Sequence, residues 1–240
     1  TAVLDFDNFA QIETMLDKAV TDLGCYVFVN FINPIRHEAM KTYAYEIFSE
    51  LGRVPDFSFH PMGTGGGVWG TWKGYNELAA MGVTDKVPHM VPVQPEAVCW
   101  LKRAVDSGAE VAEMYGDSTR TIAQSISGNS PLQGGRRLIR AVRESGGAAM
   151  AVSDDEILAA MVDLGHEGIG AEPSSASTVA AFKQAVKAGK ISSSDTVVCV
   201  ITGTAFKQPS VVEHIAALPK YTIRADVDQL KGLLVRLKLL

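Results

Sequence analysis

The sequence predicts an α/β fold, a parallel β-sheet with helices over both faces. Three observations carry that expectation. Short, continuously apolar runs at residues 26–29 (Tyr-Val-Phe-Val) and 197–201 (Val-Val-Cys-Val-Ile) read as strands buried on both sides, as parallel strands are. These runs alternate with segments of helical periodicity. Four glycines crowd residues 63–67, between a strand-like and a helix-like segment. In such folds ligands sit at the carboxyl ends of the strands.

Asp7 is a good N-cap, and Ile12, Leu16, Ala19, Val20 and Leu23 follow at helical spacing up to Gly24. The first strand, 26–29, is broken at Asn33-Pro34. Met40, Tyr43, Ala44, Ile47, Phe48 and Leu51 mark a helix that ends at Gly52. Residues 57–61 form a short strand, and a helix runs from the glycine loop to about Met81. A strand is expected at 89–93 and a helix at 96–107. Residues 112–135, rich in glycine, read as loops around a broken helix. A helix covers 136–144 and a strand 148–152. Ser153-Asp154-Asp155-Glu156 is a capping box opening a helix to Leu164. An alanine-rich helix starts at Ser174 or Ser175 and ends near Gly189. The last strand spans 196–202, and residues 226–237 are helical. No repeat and no long linker divides the chain, so 1–240 is expected to belong to one domain.

Composition narrows the function. With 47% hydrophobic and 20% charged residues, the chain is globular rather than disordered or fibrous. Lys+Arg 22 against Asp+Glu 27 leaves a net charge of −5, so neither nucleic acid nor an anionic membrane is an expected partner. No apolar run approaches the roughly 20 residues of a membrane span. The acidic start (Asp5, Asp7, Glu13) does not read as a signal peptide. Cys25, Cys99 and Cys199 are widely spaced among apolar neighbours, as reduced thiols of a cytoplasmic protein would be. The 5 histidines lack metal-ligand spacing, and there is no Gly-x-Ser-x-Gly elbow. Arg136, Arg137, Arg140 and Arg143 form a basic stripe, read as a solvated face or a subunit contact.

Residues 57–69 (Phe-Ser-Phe-His-Pro-Met-Gly-Thr-Gly-Gly-Gly-Val-Trp) read as strand, loop and helix start. Glycines there let main-chain N–H groups approach a ligand, and the helix adds its positive end; the pattern suits a phosphate. It is neither a P-loop nor the usual dinucleotide fingerprint. A tight turn with no ligand is the competing reading.

The loop has company. Asn33-Pro34-Ile35-Arg36-His37-Glu38 lies upstream and Trp72-Lys73-Gly74-Tyr75 just after it. Gly170-Ala171-Glu172-Pro173-Ser174-Ser175-Ala176-Ser177 and Ile201-Thr202-Gly203-Thr204-Ala205-Phe206-Lys207 lie downstream. In this order the set resembles the C-terminal part of threonine synthase, a fold-type II pyridoxal-phosphate enzyme related to tryptophan synthase β and threonine dehydratase. The resemblance implies a three-layer parallel-sheet fold, present in part, and pyridoxal 5'-phosphate as cofactor. It implies that Gly63, Thr64, Gly65, Gly66 and Gly67 hold the cofactor phosphate. Thr202 would meet the pyridine nitrogen and Glu172 would lie along the ring edge. Asn33 and Arg36 would face an amino-acid substrate, Arg36 gripping an acidic group. Without that family context, Thr202 reads equally as a turn cap, Arg36 as a structural charge and Glu172 as a loop carboxylate.

The implied activity is elimination or replacement at the γ or β carbon of an acidic amino acid such as O-phosphohomoserine. The lysine that holds the cofactor covalently in this family has no counterpart in the expected setting here. The resemblance therefore implies an N-terminal fragment or subunit that supplies it, in a homo-oligomeric cytoplasmic enzyme. Phe31, Thr64 and Gly67 stand where threonine synthases commonly carry serine and two asparagines. A dehydratase, a β-replacing synthase of the cysteate synthase kind, or a non-catalytic subunit of the same fold are the alternatives.

Overall fold

A computed structural model describes residues 9–24, 33–115, 120–216 and 221–240. The strand expected at 26–29 lies outside them. The chain groups into two compact units, Thr1–Gln208 and Pro209–Leu240.

Among the described residues, the first unit is built on a four-stranded sheet. Its strands are β1 (Phe57–Pro61), β2 (His89–Pro95), β3 (Met150–Val152) and β4 (Val197–Cys199). All pairings are parallel, in the spatial order β3-β2-β1-β4. Phe57, Ser58 and Phe59 stand opposite Val197, Val198 and Cys199. Val200 N–H continues the ladder by donating to Phe59 C=O at 3.0 Å. The carboxyl ends of β1 and β4 are therefore neighbours, although 138 positions (199 − 61) separate them in sequence.

The helices of this unit are α1 (Phe9–Leu23), α2 (Pro34–Met40), α3 (Thr42–Leu51), α4 (Gly66–Ala80), α5 (Trp100–Asp106), α6 (Arg136–Glu144), α7 (Asp154–His166) and α8 (Pro173–Lys187). Strand alternation sends side chains to two faces of the sheet, each covered by helices. Met90 and its neighbours pack with Met62, Val68, Trp100, Leu101, Leu138 and Val142, from α4, α5, α6 and adjoining loops. Phe59, of opposite parity in register terms, meets Phe182 of α8 edge to face at 6.3 Å. Burying each such large apolar side chain contributes roughly 1.5–3 kcal/mol.

Several expectations need correction. The helix expected through Met40–Leu51 is two helices, because the chain turns at Lys41. Asn33 caps the first of them, accepting from Ile35 N–H at 2.9 Å. Residues 96–107 hold a short 3₁₀ turn and then α5, broken where Cys99 leaves helical geometry at φ −93° and ψ 48°. The last strand stops at Cys199, so Thr202 stands in the loop beyond it. The alanine-rich helix begins earlier, at Pro173, with Glu172 in the cap position. The capping box is present in full: Ser153 Oγ accepts from Glu156 N–H at 3.2 Å, and the Glu156 carboxylate accepts from Ser153 N–H at 2.9 Å.

Among the described residues, the second unit contains two helices, α9 (Pro209–Ala216) and α10 (Val227–Arg236). Asp226 caps α10 by accepting from Gln229 N–H at 2.8 Å. α10 matches the helix expected at 226–237, and α9 has no counterpart among the expected elements.

Candidate cofactor-binding site

β1 delivers the glycine loop to the carboxyl edge of the sheet. Gly65 caps α4 in the left-handed region at φ 84°, with no side chain bonded to the free amides of the first turn. That conformation favours glycine. Space demands it too, because a Cβ at Gly65 would overlap Leu138. Trp69 N–H is the first to find a helical partner, Gly65 C=O at 3.0 Å. Among the described residues, the N–H groups from Gly63 to Val68 have no protein acceptor. A Cβ at Gly67 would meet nothing within 4 Å, so there is open space beside that glycine. Unpaired amides at the positive end of a helix suit an anionic oxygen group.

The far side of the site comes from β4 and α8. Residues 170–172 and 203–205 cross as an isolated bridge, Ala171 opposite Thr204. Glu172 N–H donates to Gly203 C=O at 3.0 Å, and Ala205 N–H donates to Gly170 C=O at 3.0 Å. Glu172 is buried, and a Cβ at Gly203 would overlap its carboxylate. The Glu-Pro and Thr-Gly pairs are thus one packed unit. Ser175 binds Thr202 and Gly203 from α8, through contacts of 3.0 Å to Thr202 N, 2.8 Å to Gly203 N and 3.0 Å to Thr202 Oγ1. Thr202 is an exposed residue.

A polar seam joins the two sides. Gly63 lies against the backbone of Ser125 and Ile126; an added Cβ would stand 3.2 Å from Ser125 C=O. Ser125 Oγ donates to Ser174 Oγ at 2.6 Å, and Ser174 adjoins Ser175. The structure therefore brings the glycine loop, Glu172 and Thr202 to one edge of the sheet. Ser174 and Ser175 carry no role in the sequence-based expectation; two serines after Glu-Pro at a helix start are a weak local signal, and their partners are tertiary.

Asn33 and Arg36 arrive differently. They lie at the start of α2, which packs so closely on α4 that a Cβ at Gly70 would stand 3.1 Å from His37 C=O. Asn33 is buried and spends its side-chain oxygen on the α2 cap. Arg36 is half-buried and has no carboxylate partner among the described residues. The nearby lysines are engaged. Lys41 pairs with Glu38 at 2.6 Å and Glu77 at 2.8 Å, and Lys73 pairs with Glu38. These two ammonium groups hold Glu38 down to about 2, and the same carboxylates push Lys41 above its usual range.

The basic stripe of α6 is mostly occupied as well. Arg140 pairs with Glu144 at 2.8 Å and lies over Trp72; Arg143 pairs with Glu110 at 2.7 Å. Beneath the loop, β1 carries His60, fully enclosed and 2.9 Å from Ser58 Oγ. Burial pushes its imidazole down to about 3, so it is neutral at ordinary pH. Cys99 and Cys199 are free thiols, and burial pushes Cys199 up to about 12.

Fold and site together define a class: a parallel-sheet α/β protein with a run of unpaired amides and a polar loop at the ends of adjacent strands. A family model for pyridoxal-phosphate dependent enzymes matches residues 3–203, and the chain belongs to that family. It is 38% identical over 205 residues to threonine synthase of Methanosarcina acetivorans, covering 85% of this chain and 50% of that one. It is 35% identical over 232 residues to threonine synthase of Methanocaldococcus jannaschii, covering 96% and 56%. The chain thus spans about half the length of these relatives. Among solved structures it is similar to the processed form of threonine deaminase isoform 2 from Solanum lycopersicum. The TM-score is 0.70 at 19% identity, covering 90% of this chain and 57% of the other. Maize serine racemase aligns with a TM-score of 0.64 at 17% identity, covering 88% and 64%. These likenesses establish the fold. Among the described residues no helix is long and apolar enough to cross a membrane.

The residues present suit the family's cofactor. Pyridoxal phosphate needs an anion site at one end and a polar contact for its ring nitrogen at the other. The unpaired amides of 63–68 offer the first, and the exposed Thr202 hydroxyl beyond the adjacent strand offers the second.

Proposed function

We propose that this chain is the cofactor-binding portion of a lyase resembling threonine synthase, acting at the γ or β carbon of an acidic amino acid such as O-phosphohomoserine. One observation carries the reading. A run of unpaired main-chain amides ends β1, and the Thr202 hydroxyl follows the neighbouring parallel strand. The similarity to threonine synthases supports the reaction class.

In this reading the amides of Gly63, Thr64, Gly65, Gly66 and Gly67 hold the phosphate. Thr202 orients the ring through its nitrogen, and the buried Glu172 lines the ring edge. When bound, the cofactor supplies an electron sink for charge that develops on the substrate carbon. A neutral hydroxyl at the ring nitrogen, unlike a carboxylate, leaves that nitrogen unprotonated and the sink moderate. This suits elimination and replacement. Arg36, free of any carboxylate partner among the described residues, grips the acidic group of the substrate by a bidentate contact. Asn33 fixes the start of α2 and so the placement of Arg36. Lys41 and Lys73 are held in ion pairs, which supports a lysine from another segment or a partner chain as the covalent anchor. The enzyme is a cytoplasmic homo-oligomer.

A second reading, a dehydratase or β-replacing synthase, rests on Thr64 and Gly67, where the loop lacks the polar side chains usual in threonine synthases. A substrate screen on the purified protein, with every polypeptide it carries, separates the two. Turnover of O-phosphohomoserine is expected. Turnover restricted to serine, threonine or phosphoserine would favour the second reading. A preparation with no borohydride-sensitive visible absorbance would defeat both.

A further inference from the structure

We propose that Ser175 is the positioning residue that makes the Thr202 hydroxyl a hydrogen-bond donor toward the ring nitrogen of the cofactor. The inference rests on the pyridoxal-phosphate reading above and extends it to a residue outside the ligand's own contacts.

A serine hydroxyl has one proton to donate and two lone pairs to accept with. Ser175 is fully buried, and its Oγ has three neighbours: Thr202 N at 3.0 Å, Gly203 N at 2.8 Å and Thr202 Oγ1 at 3.0 Å. The two main-chain nitrogens can only donate. They fill both lone pairs, so the third contact uses Ser175's own proton, which goes to Thr202 Oγ1. Reversing that bond would strip one amide of its acceptor. Gly203 is buried, and an unsatisfied buried N–H is costly.

Thr202 is left with a fixed role. Its oxygen accepts from Ser175, and its own proton must go elsewhere. Thr202 is an exposed residue at the carboxyl edge of the sheet, so the proton is offered to whatever occupies that edge. A donor there matches a nitrogen with a free lone pair and disfavours one that carries a proton. Ser175 is itself well held. It lies in the first turn of α8, where its C=O accepts from Thr178 Oγ1 at 2.9 Å, and the adjacent Ser174 is tied to Ser125.

A double-mutant cycle on cofactor affinity tests this in the full-length protein. Equilibrium binding of pyridoxal phosphate is measured for the unmodified protein, Ser175→Ala, Thr202→Val and the double variant. Each single change is expected to weaken binding about tenfold. The double variant is expected to bind no worse than Thr202→Val alone, because Ser175 acts through that hydroxyl. Losses that multiply would overturn the inference, since they would make Ser175 merely structural. Should Ser175→Ala fail to fold, nitrogen-15 NMR of ring-labelled pyridoxal phosphate on the unmodified protein decides. An unprotonated ring nitrogen at neutral pH supports the donor assignment, and a protonated one overturns it. Failure of the unmodified protein to bind the cofactor would instead sink the functional reading, and this inference with it.

Discussion

Acidification should destabilise this protein through His60 well before its carboxylates titrate. The imidazole is enclosed within β1, and burial moves it from 6.5 to about 3. A histidine depressed in the folded state leaves the unfolded chain holding the extra proton between those values. Stability therefore falls as pH drops below 6.5 and stops falling near 3. The slope is about 1.4 kcal/mol per pH unit, which integrates to about 2 kcal/mol between about pH 7 and about pH 5. With a urea m-value of about 2 kcal/mol per M, the unfolding midpoint should move by about 1 M. Glu38, Asp56 and Glu77 are held low by lysine partners and lose stability in the same direction, mainly below their ordinary range near 4. His60→Gln keeps a polar contact for Ser58 and removes the titration. Subtracting its pH dependence from that of the unmodified protein isolates the histidine, because any packing cost cancels between the two pH values. Equal midpoint shifts in both proteins would refute the reasoning.

Three further outcomes follow from the site. Gly65→Ala forces a side chain into the left-handed region and against Leu138, and should cost roughly 1–3 kcal/mol in urea unfolding. Gly203→Ala displaces the Glu172 carboxylate and should weaken pyridoxal-phosphate binding more than it lowers the melting temperature; calorimetry and cofactor titration read the two separately. Arg36→Lys keeps the charge and loses the planar fork, so KM for the acidic substrate should rise about tenfold while cofactor affinity holds; steady-state kinetics and titration check both.

Some of this was legible in sequence because local chemistry wrote it. The capping box at Ser153 and Glu156 and the crowded glycines of 63–67 declare themselves within a few residues, whereas Asn33-Pro34 reads in sequence only as a break and its cap on α2 appears in the structure. Parallel strands appear as unbroken apolar runs because both faces are covered. Other features depend on partners far along the chain. β4 pairs with β1 only through Cys199, with one further ladder bond from Val200 N–H to Phe59 C=O, although apolar residues continue to Ile201. The break at Cys99 interrupts a stretch whose composition suits a helix throughout. α9 has eight residues, too few for periodicity to separate from a turn. Glu172 and Thr202 carried a resemblance but no visible connection. The bridge of Ala171 with Thr204, and Ser175 between them, are long-range contacts that spacing does not announce.

The most direct test of the account is a crystal structure of the full-length protein with pyridoxal phosphate bound. The phosphoryl oxygens should accept from the amides of Gly63–Gly67, with the ring nitrogen within hydrogen-bond reach of Thr202 Oγ1. A phosphoryl group seated elsewhere, or a ring whose nitrogen faces a carboxylate, would contradict it.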